Sequence, residues 1–345
     1  MLIYSQSFTV SKMMVDTLQY RKWGLLLAPC YPMKRRLLPS FMFMLLALFS
    51  SAARATVLTS IRPLAFIAAA IAEGIMPVDV LVPPTLSPHD YNLRPSDLRR
   101  LRAAELIVWV GPELESFLSK PLQALTVPQL LLSQVTAIRP LLRVDKGITE
   151  TDQIEGDQGS HTAAERVVPC CTHQAYDVHI WLSPVVARQI ARQIQTTLLE
   201  AYPQHRSRLE ANLIHFEQQL IQVEQAIRSQ LAPLRQRGYF VFHDAYRYFE
   251  SYFGLQQRGY FTINPVLAPG AQRLQQIRHQ LQQPGVICLF TEPQFKPRII
   301  ESIARGTRAR LGILDPLGSE IPVTPGSYRH FLMQLAQQFA DGLQD

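Results

Sequence analysis

The chain has 345 residues, of which 47% are hydrophobic and 18% are charged. This composition is typical of globular proteins of about two domains, and it excludes wholesale disorder and a collagen-like fibre. The formal net charge is +7, but residues 1–55 hold seven basic side chains against one acid, which leaves 27 basic and 26 acidic residues over 56–345. Because most of the chain is close to neutral, we expect no nucleic-acid partner.

The N-terminal segment has the pattern of a secretory signal peptide. After Met33, three basic residues precede an apolar run of about a dozen residues, and a small-x-small sequence ends at Ala55. A membrane-spanning helix needs about 18 to 20 apolar residues, so this run is too short to serve as an anchor. We predict that translation starts at Met33, that residues 1–32 lie upstream of the true start, and that cleavage follows Ala55.

Short apolar runs at 57–61, 78–82 and 106–110 predict three strands in the first part of the exported chain. A helix is predicted at 64–72, and a Pro-Ser-Asp sequence at Pro95 marks the start of another. Strands that alternate with helices indicate a parallel sheet with helices on its faces.

Polar residues dominate 145–176, where apolar spacing disappears, and we predict a mobile surface loop there. The loop carries two histidines and the adjacent pair Cys170 and Cys171, whose role the sequence leaves open. After the loop, Ser183 as N-cap and Pro184 in the first turn predict a helix.

Between 203 and 234, apolar residues recur every three or four positions, which predicts one helix about 45 Å long at 1.5 Å per residue. The pattern fits both a long surface helix and a rigid strut between two lobes. Beyond it, strands and helices alternate again, which predicts a second α/β lobe. Its predicted strands are 239–242, 260–263, 286–290 and 311–314, and its predicted helices are 272–282, 297–305 and 328–343.

These elements divide the exported chain into three predicted parts. They are an N-terminal lobe at 56–202, a connecting helix at 203–236 and a C-terminal lobe at 237–345. In open α/β sheets ligands bind beyond the carboxyl ends of the strands, and a two-lobed protein adds a cleft.

Three of the nine histidines lie at predicted strand ends, where that rule places a ligand: His89, His179 and His243. Each has an acidic residue within two positions, namely Asp90, Asp177 and Asp244. A carboxylate or carbonyl usually orients the second nitrogen of a metal-binding imidazole, so these carboxylates are candidates for that role or for helix capping. The three histidines lie far apart in the chain and match no local metal motif, so their spacing only suggests a shared site.

Seven short runs are distributed over 56–345: IRPL at 61–64, SPHDYNLRPSD at 87–97, VWVGPELE at 108–115, HIWLSP at 179–184, FHDAY at 242–246, EPQF at 292–295 and LDPLG at 314–318. In combination they resemble the periplasmic zinc-binding protein of bacterial zinc ABC importers. The resemblance implies two lobes, each with a mainly parallel sheet flanked by helices, joined by one long rigid helix. It also implies a metal in the cleft between the lobes.

Position by position, the resemblance implies three histidine ligands at His89, His179 and His243. Manganese-binding relatives have a carboxylate at the third place, so histidine there favours zinc, Zn2+. The fourth place falls to water or to Asp315, and we rank water ahead of Asp315. Pro88 stands where some zinc-binding members have glutamate, so that position supplies no carboxylate.

The chain also departs from its relatives at two further places. Many of them carry a histidine-dense loop where 145–176 has only two histidines, which leaves a metal-capturing role for this loop in doubt. Some have a disulfide in the second lobe. Cys288 matches one partner, but 289–345 contain no other cysteine, so we expect no such bridge.

The function implied is capture of Zn2+ in the periplasm and delivery to a membrane permease, with ATP hydrolysed by a separate cytoplasmic subunit. We expect a monomer that catalyses nothing. Because only neutral imidazole binds the ion and its usual pKa is about 6.5, affinity is expected to fall below about pH 6.

Two alternatives stay open. One is a manganese or iron importer subunit, or an adhesin on the same scaffold. The other is a secreted zinc hydrolase, because three protein ligands plus water also form a catalytic zinc site, with Glu113, Glu115 or Glu292 as general base. Against the hydrolase, no helix places two ligands four residues apart and no glutamate adjoins a ligand.

Overall fold

The computed structural model describes residues 56–144, 176–262, 270–282, 285–295, 301 and 304–344. The signal peptide and start site predicted within 1–55 lie outside these residues. So do the loop predicted at 145–176, except for its last residue, and most of the helix predicted at 297–305. None of the helices in the described part of the chain is long and apolar enough to cross a lipid bilayer.

The first lobe is built on a four-stranded parallel sheet in the order β2-β1-β3-β4. Its elements are β1 (Val57–Thr59), α1 (Arg62–Ile71), β2 (Val78–Val80), α2 (Pro95–Ala103), β3 (Leu106–Trp109), α3 (Ser116–Gln123) and β4 (Gln129–Leu131). The predicted strands and helices are confirmed, whereas α3 and β4 were not predicted. In β4 only Leu130 is buried, so this strand has no alternation long enough to recognise.

Two helices follow: α4 (Pro184–Ala201) and the long α5 (Arg206–Leu231). The helix predicted over 203–234 is thus α-helical only in its central part, with a 3-10 turn at each end. Pro233 limits it, because proline has no N–H to continue the α-helical ladder. The buried face of α5 recurs every three or four residues: Leu209, Asn212, Phe216, Leu220, Val223, Ile227 and Leu231.

The second lobe repeats the arrangement, with a parallel sheet in the order β6-β5-β7-β8. Its elements are β5 (Gly238–His243), α6 (Arg247–Phe253), β6 (Gln257–Thr262), α7 (Ala271–Leu281), β7 (Val286–Thr291), β8 (Arg310–Ile313) and α8 (Ser327–Leu343). The prediction of two lobes with parallel sheets is confirmed. Helix α6 was not predicted. Strand β6 begins before the predicted range 260–263, because the residues at its start are polar and give no apolar run to recognise.

Helix α5 contacts both lobes. It packs against α1 and α4 of the first lobe and against α6 and α8 of the second. The amide of Asn212 donates to the carbonyls of Ile71 and Glu73 at 2.9 and 3.0 Å, which satisfies the C-terminal end of α1. The carboxylate of Glu224 accepts from Arg188 on α4 at 2.9 Å and from Tyr252 on α6 at 2.7 Å. This helix is therefore better described as a strut between the two lobes than as a surface helix.

A loop of the second lobe, residues 314–321 between β8 and α8, is held by the first lobe. We call it the junction loop. Trp181 Nε1 donates to the carbonyl of Pro316 at 2.8 Å, and Arg62 Nε donates to that of Gly318 at 3.2 Å. Gly318 has φ +60°, and a Cβ there would lie 2.8 Å from a ring carbon of Phe66. The close approach of the two lobes at this loop therefore requires glycine.

Candidate metal site

The three histidines named from the sequence converge in one place. Their ring centroids are 4.7 Å apart for His179 and His243, 5.0 Å for His89 and His243, and 5.4 Å for His89 and His179. One ring nitrogen of each lies within 4.8 Å of a ring nitrogen of the other two. Rings that belong to three distant segments of the chain thus share one small space.

His89 lies on a short 3-10 turn, Pro88–Asp90, in the loop after β2. Ser87 caps the turn, because its Oγ accepts from the backbone N–H of His89 at 3.3 Å, and the proline suits the first position. The His89 side chain is half-buried, whereas Asp90 is exposed. No hydrogen bond among the described residues joins the Asp90 carboxylate to a histidine, so this predicted partner does not orient His89.

His179 caps a 3-10 turn, Ile180–Leu182, rather than ending a strand as predicted. Three residues before it, Tyr176 forms an isolated antiparallel β-bridge with Val144. Asp177 Oδ1 accepts the backbone N–H of His179 at 3.0 Å and lies 2.8 Å from its Nδ1. The other ring nitrogen, Nε2, is buried and has no hydrogen-bond partner in the described part of the chain. This is the one carboxylate of the three predicted that contacts its histidine.

His243 is the last residue of β5 and is only 3% exposed. Its Nδ1 lies 3.3 Å from Glu292 Oε1, although neither ring nitrogen makes a hydrogen bond of good geometry to a described residue. The predicted partner Asp244 instead accepts from Gln257 at 2.8 Å and pairs with Arg247. The physical reason is strand geometry, because neighbouring side chains at a strand end point to opposite faces.

Burial sets the electrostatics of the site. It is the main cause that lowers the pKa of His89 and His179 well below the usual 6.5, and repulsion whenever His243 is protonated lowers both further. Burial also raises the pKa of Asp177 to about 6, against the backbone hydrogen bond from His179 and the charge of Arg247. At neutral pH, His89 and His179 are therefore neutral, which is the form that binds a metal ion.

Asp315 lies outside the group of three histidines. Its Oδ1 accepts from the backbone N–H of Leu317 at 3.0 Å and from the Ser319 hydroxyl at 3.2 Å, and its Oδ2 accepts from the Ser319 N–H at 2.6 Å. Gln294 also approaches Oδ1 at 3.4 Å. In this structure the carboxylate shapes the junction loop.

The histidines line a cleft whose walls come from both lobes. Trp181, Phe295 and Leu317 give it apolar walls, and Glu292 contributes a carboxylate. The small space that the three rings share suits a single ion rather than a macromolecule. Apolar walls reduce the effective dielectric, so charges within the cleft interact strongly.

The chain that forms this cleft was compared with known proteins. The family model described as "Zinc-uptake complex component A periplasmic", ZnuA, matches residues 57–342. The chain belongs to the ZnuA family. The high-affinity zinc uptake system protein ZnuA of Yersinia pestis is 52% identical over 294 residues, which are 84% of this chain and 92% of that protein.

Solved structures agree with this assignment. A crystal structure of ZnuA has a TM-score of 0.68 at 28% identity and covers 84% of this chain and 100% of its own. A ZnuA deletion mutant described as zinc-bound has a TM-score of 0.64 at 26% identity, over 85% of this chain and 99% of its own. The fold implied by the sequence resemblance is thereby confirmed.

Glu292 is a site residue whose contact with His243 sequence reasoning missed. The sequence named it only as a general base for a hydrolase, whereas the structure places it against His243 in the cleft wall. The available signal was its position two residues after the strand predicted at 286–290. That signal does not say which neighbouring strand end the carboxylate meets.

Proposed function

We propose that this ZnuA-family chain captures Zn2+ in the periplasm and delivers it to the membrane permease of an ABC importer. The observation that carries the proposal is the convergence of three imidazoles from distant segments within one cleft. The zinc uptake named for the Yersinia pestis relative and the zinc-bound neighbour support the same cargo. A cytoplasmic ATPase subunit supplies the energy, and the chain acts as a monomer that catalyses nothing.

The ligands in this proposal are His89, His179 and His243. The unpartnered ring nitrogens of His179 and His243 support it, because buried polar atoms without partners cost free energy that a metal ion offsets. Imidazole donors also favour zinc over manganese, which prefers oxygen ligands. Water takes the fourth place, since the Asp315 carboxylate is engaged in the junction loop.

The periplasmic location rests on two independent supports. One is the family to which the chain belongs, the periplasmic component A of zinc-uptake complexes. The sequence pattern that ends at Ala55 predicts an exported chain that begins at Thr56. Mass spectrometry of the protein recovered from the host's periplasm is expected to find Thr56 at its N-terminus.

The test is elemental analysis of the purified mature chain, followed by competition titration with Zn2+ and Mn2+. One zinc ion per chain and tighter binding of zinc than of manganese are expected. Alanine at any of the three histidines should abolish retention of zinc through purification. His215→Ala is the matched control, because His215 is exposed on α5 and bonds only to Gln219 within the described residues. Tighter binding of manganese would favour the manganese importer instead.

A further inference from the structure

Two carboxylates, one from each lobe, contact the Nδ1 atoms of two of the histidines. Asp177 Oδ1 lies 2.8 Å from Nδ1 of His179, and Glu292 Oε1 lies 3.3 Å from Nδ1 of His243. In both histidines Nε2 is buried and has no hydrogen-bond partner among the described residues. The cleft therefore holds two carboxylate–imidazole pairs, a hydrogen-bonded one at His179 and a looser 3.3 Å contact at His243, of which the sequence pattern predicted only the first.

The register between β5 and β7 brings Glu292 to His243. In this parallel pair Tyr239 lies opposite Cys288 and Val241 lies opposite Phe290. Continued to the carboxyl edge of the sheet, the same register places His243 opposite Glu292. Side chains at equal positions on neighbouring strands point to the same face. The backbone thus fixes this pair without help from a bound ion.

Glu292 is itself held in place. The hydroxyl of Tyr246, which is only 1% exposed, donates to Glu292 Oε1 at 3.2 Å and also lies 3.3 Å from the carbonyl of Leu314. Glu292 is 5% exposed and lines the cleft. Burial of a carboxylate costs free energy unless a positive partner offsets it. A cation on the far nitrogen of His243 would be such a partner.

We propose that Glu292 is a positioning residue for His243, which holds Nδ1 toward β7 and directs Nε2 to the ion. Together with Asp177 it places one carboxylate behind each of two imidazole ligands. The effect on zinc affinity rests on the proposed function, whereas the orientation of His243 does not.

The test uses Glu292→Gln, which keeps an acceptor oxygen but removes the charge, and Glu292→Leu, which removes both. Glu250→Gln is the matched control. Glu250 is also 5% exposed in the second lobe and accepts from a tyrosine hydroxyl, that of Tyr239 at 2.8 Å, but it contacts no histidine among the described residues. The readouts are zinc affinity by chelator competition, thermal unfolding, and the His243 tautomer from ¹⁵N NMR of the metal-free chain.

In the metal-free wild type we expect the proton of His243 on Nδ1. Glu292→Gln should keep this tautomer and lower zinc affinity about 10- to 100-fold, the usual effect of losing an outer partner of a metal ligand. Glu292→Leu should lose the tautomer preference, and Glu250→Gln should change neither readout.

Two results would overturn the proposal: a wild-type proton on Nε2, or unchanged zinc affinity in Glu292→Gln. If the wild type bound no zinc, the proposed function would fail, but the tautomer measurement would still decide whether Glu292 orients His243. If Glu292→Leu did not fold, the zinc affinity of the isosteric Glu292→Gln variant and the wild-type tautomer would still decide the proposal.

Discussion

The two sides of the cleft support their histidines in different ways. On the second-lobe side, His243 ends a six-residue strand that is buried throughout, and Glu292, directly after the adjacent strand β7, contacts it. On the first-lobe side, His89 lies on a three-residue turn and is half-buried, and its neighbour Asp90 is exposed and bonds to no histidine among the described residues. A ligand fixed by a sheet is ready before the ion arrives, whereas a ligand on a short loop is free to adjust. We therefore expect the ion to enter and leave past His89.

The largest expected effect separates these two ligands directly. His243→Ala should lower zinc affinity by more than about 100-fold, because it removes a ligand and leaves the carboxylate of Glu292 without its imidazole partner. Loss of an outer partner alone lowers metal affinity about 10- to 100-fold. His89→Ala should lower it less, because both carboxylate-backed imidazoles stay in place. Competition titration measures both. An equal or larger loss for His89→Ala would contradict the comparison.

The next effect concerns the contact that joins the two sides. Gly318→Ala should lower the free energy of unfolding by about 1–3 kcal/mol, because alanine is strained at positive φ and its Cβ would clash with Phe66. Gly326→Ala is the control, since φ there is −88° and a Cβ would meet nothing within 4 Å. Urea unfolding of the metal-free chain measures both. Equal stability of the two variants would show that the lobes do not depend on this close approach.

A smaller effect tests the support of the first-lobe ligands. Asp177→Asn should lower zinc affinity about tenfold, because the amide cannot supply the negative charge behind His179. Asp90→Asn should leave affinity unchanged, since Asp90 is exposed and bonds to no histidine within the described residues. Isothermal titration with a competing chelator measures both. A loss of zinc affinity in Asp90→Asn would contradict this expectation, because it would mean that Asp90 supports His89.

The smallest expected effect is the change of affinity with mild acid. Burial lowers the pKa of His89 and His179 well below 6.5, so the protonated forms that exclude the ion accumulate only at lower pH. Zinc affinity should therefore change little between pH 7.5 and 6.5. At more acidic pH it should fall, but the fall should begin at a lower pH than it would for ligands with the pKa of a free imidazole. A steep fall already near pH 6.5 would show that the histidines are more hydrated than this.

The same shift has a defined sign for the stability of the metal-free chain. A histidine whose pKa is lower in the folded state binds fewer protons there than in the unfolded state, so acid favours unfolding. The contribution of His89 and His179 to the free energy of unfolding should therefore decrease as pH falls through about 6.5, the unfolded value, whereas the raised pKa of Asp177 contributes with the opposite sign. Urea titrations of the metal-free wild type and of His179→Ala at several pH values between 7.5 and 5 isolate the histidine contribution.

Local sequence patterns predicted most of the architecture. Short apolar runs predicted every described strand except β4 to within a few residues, because buried parallel strands and their flanking helices have recognisable periods. The patterns missed β4, α3 and α6, which are too short for a period to show, and they set the ends of α5 too far out because Pro233 breaks the α-helix. The three histidines of the cleft were named correctly as a group that converges, with the help of a family resemblance.

Contacts between distant segments could be decided only by the tertiary structure. The sequence by itself determined which residue types stand at each strand end, and so which imidazoles and carboxylates the cleft has available. It paired His243 with Asp244 because they are neighbours in the chain, whereas the fold pairs it with Glu292 at the end of the adjacent strand. The reason is that the register of two parallel strands depends on how the whole sheet packs, and this register cannot be read from the local spacing of residues.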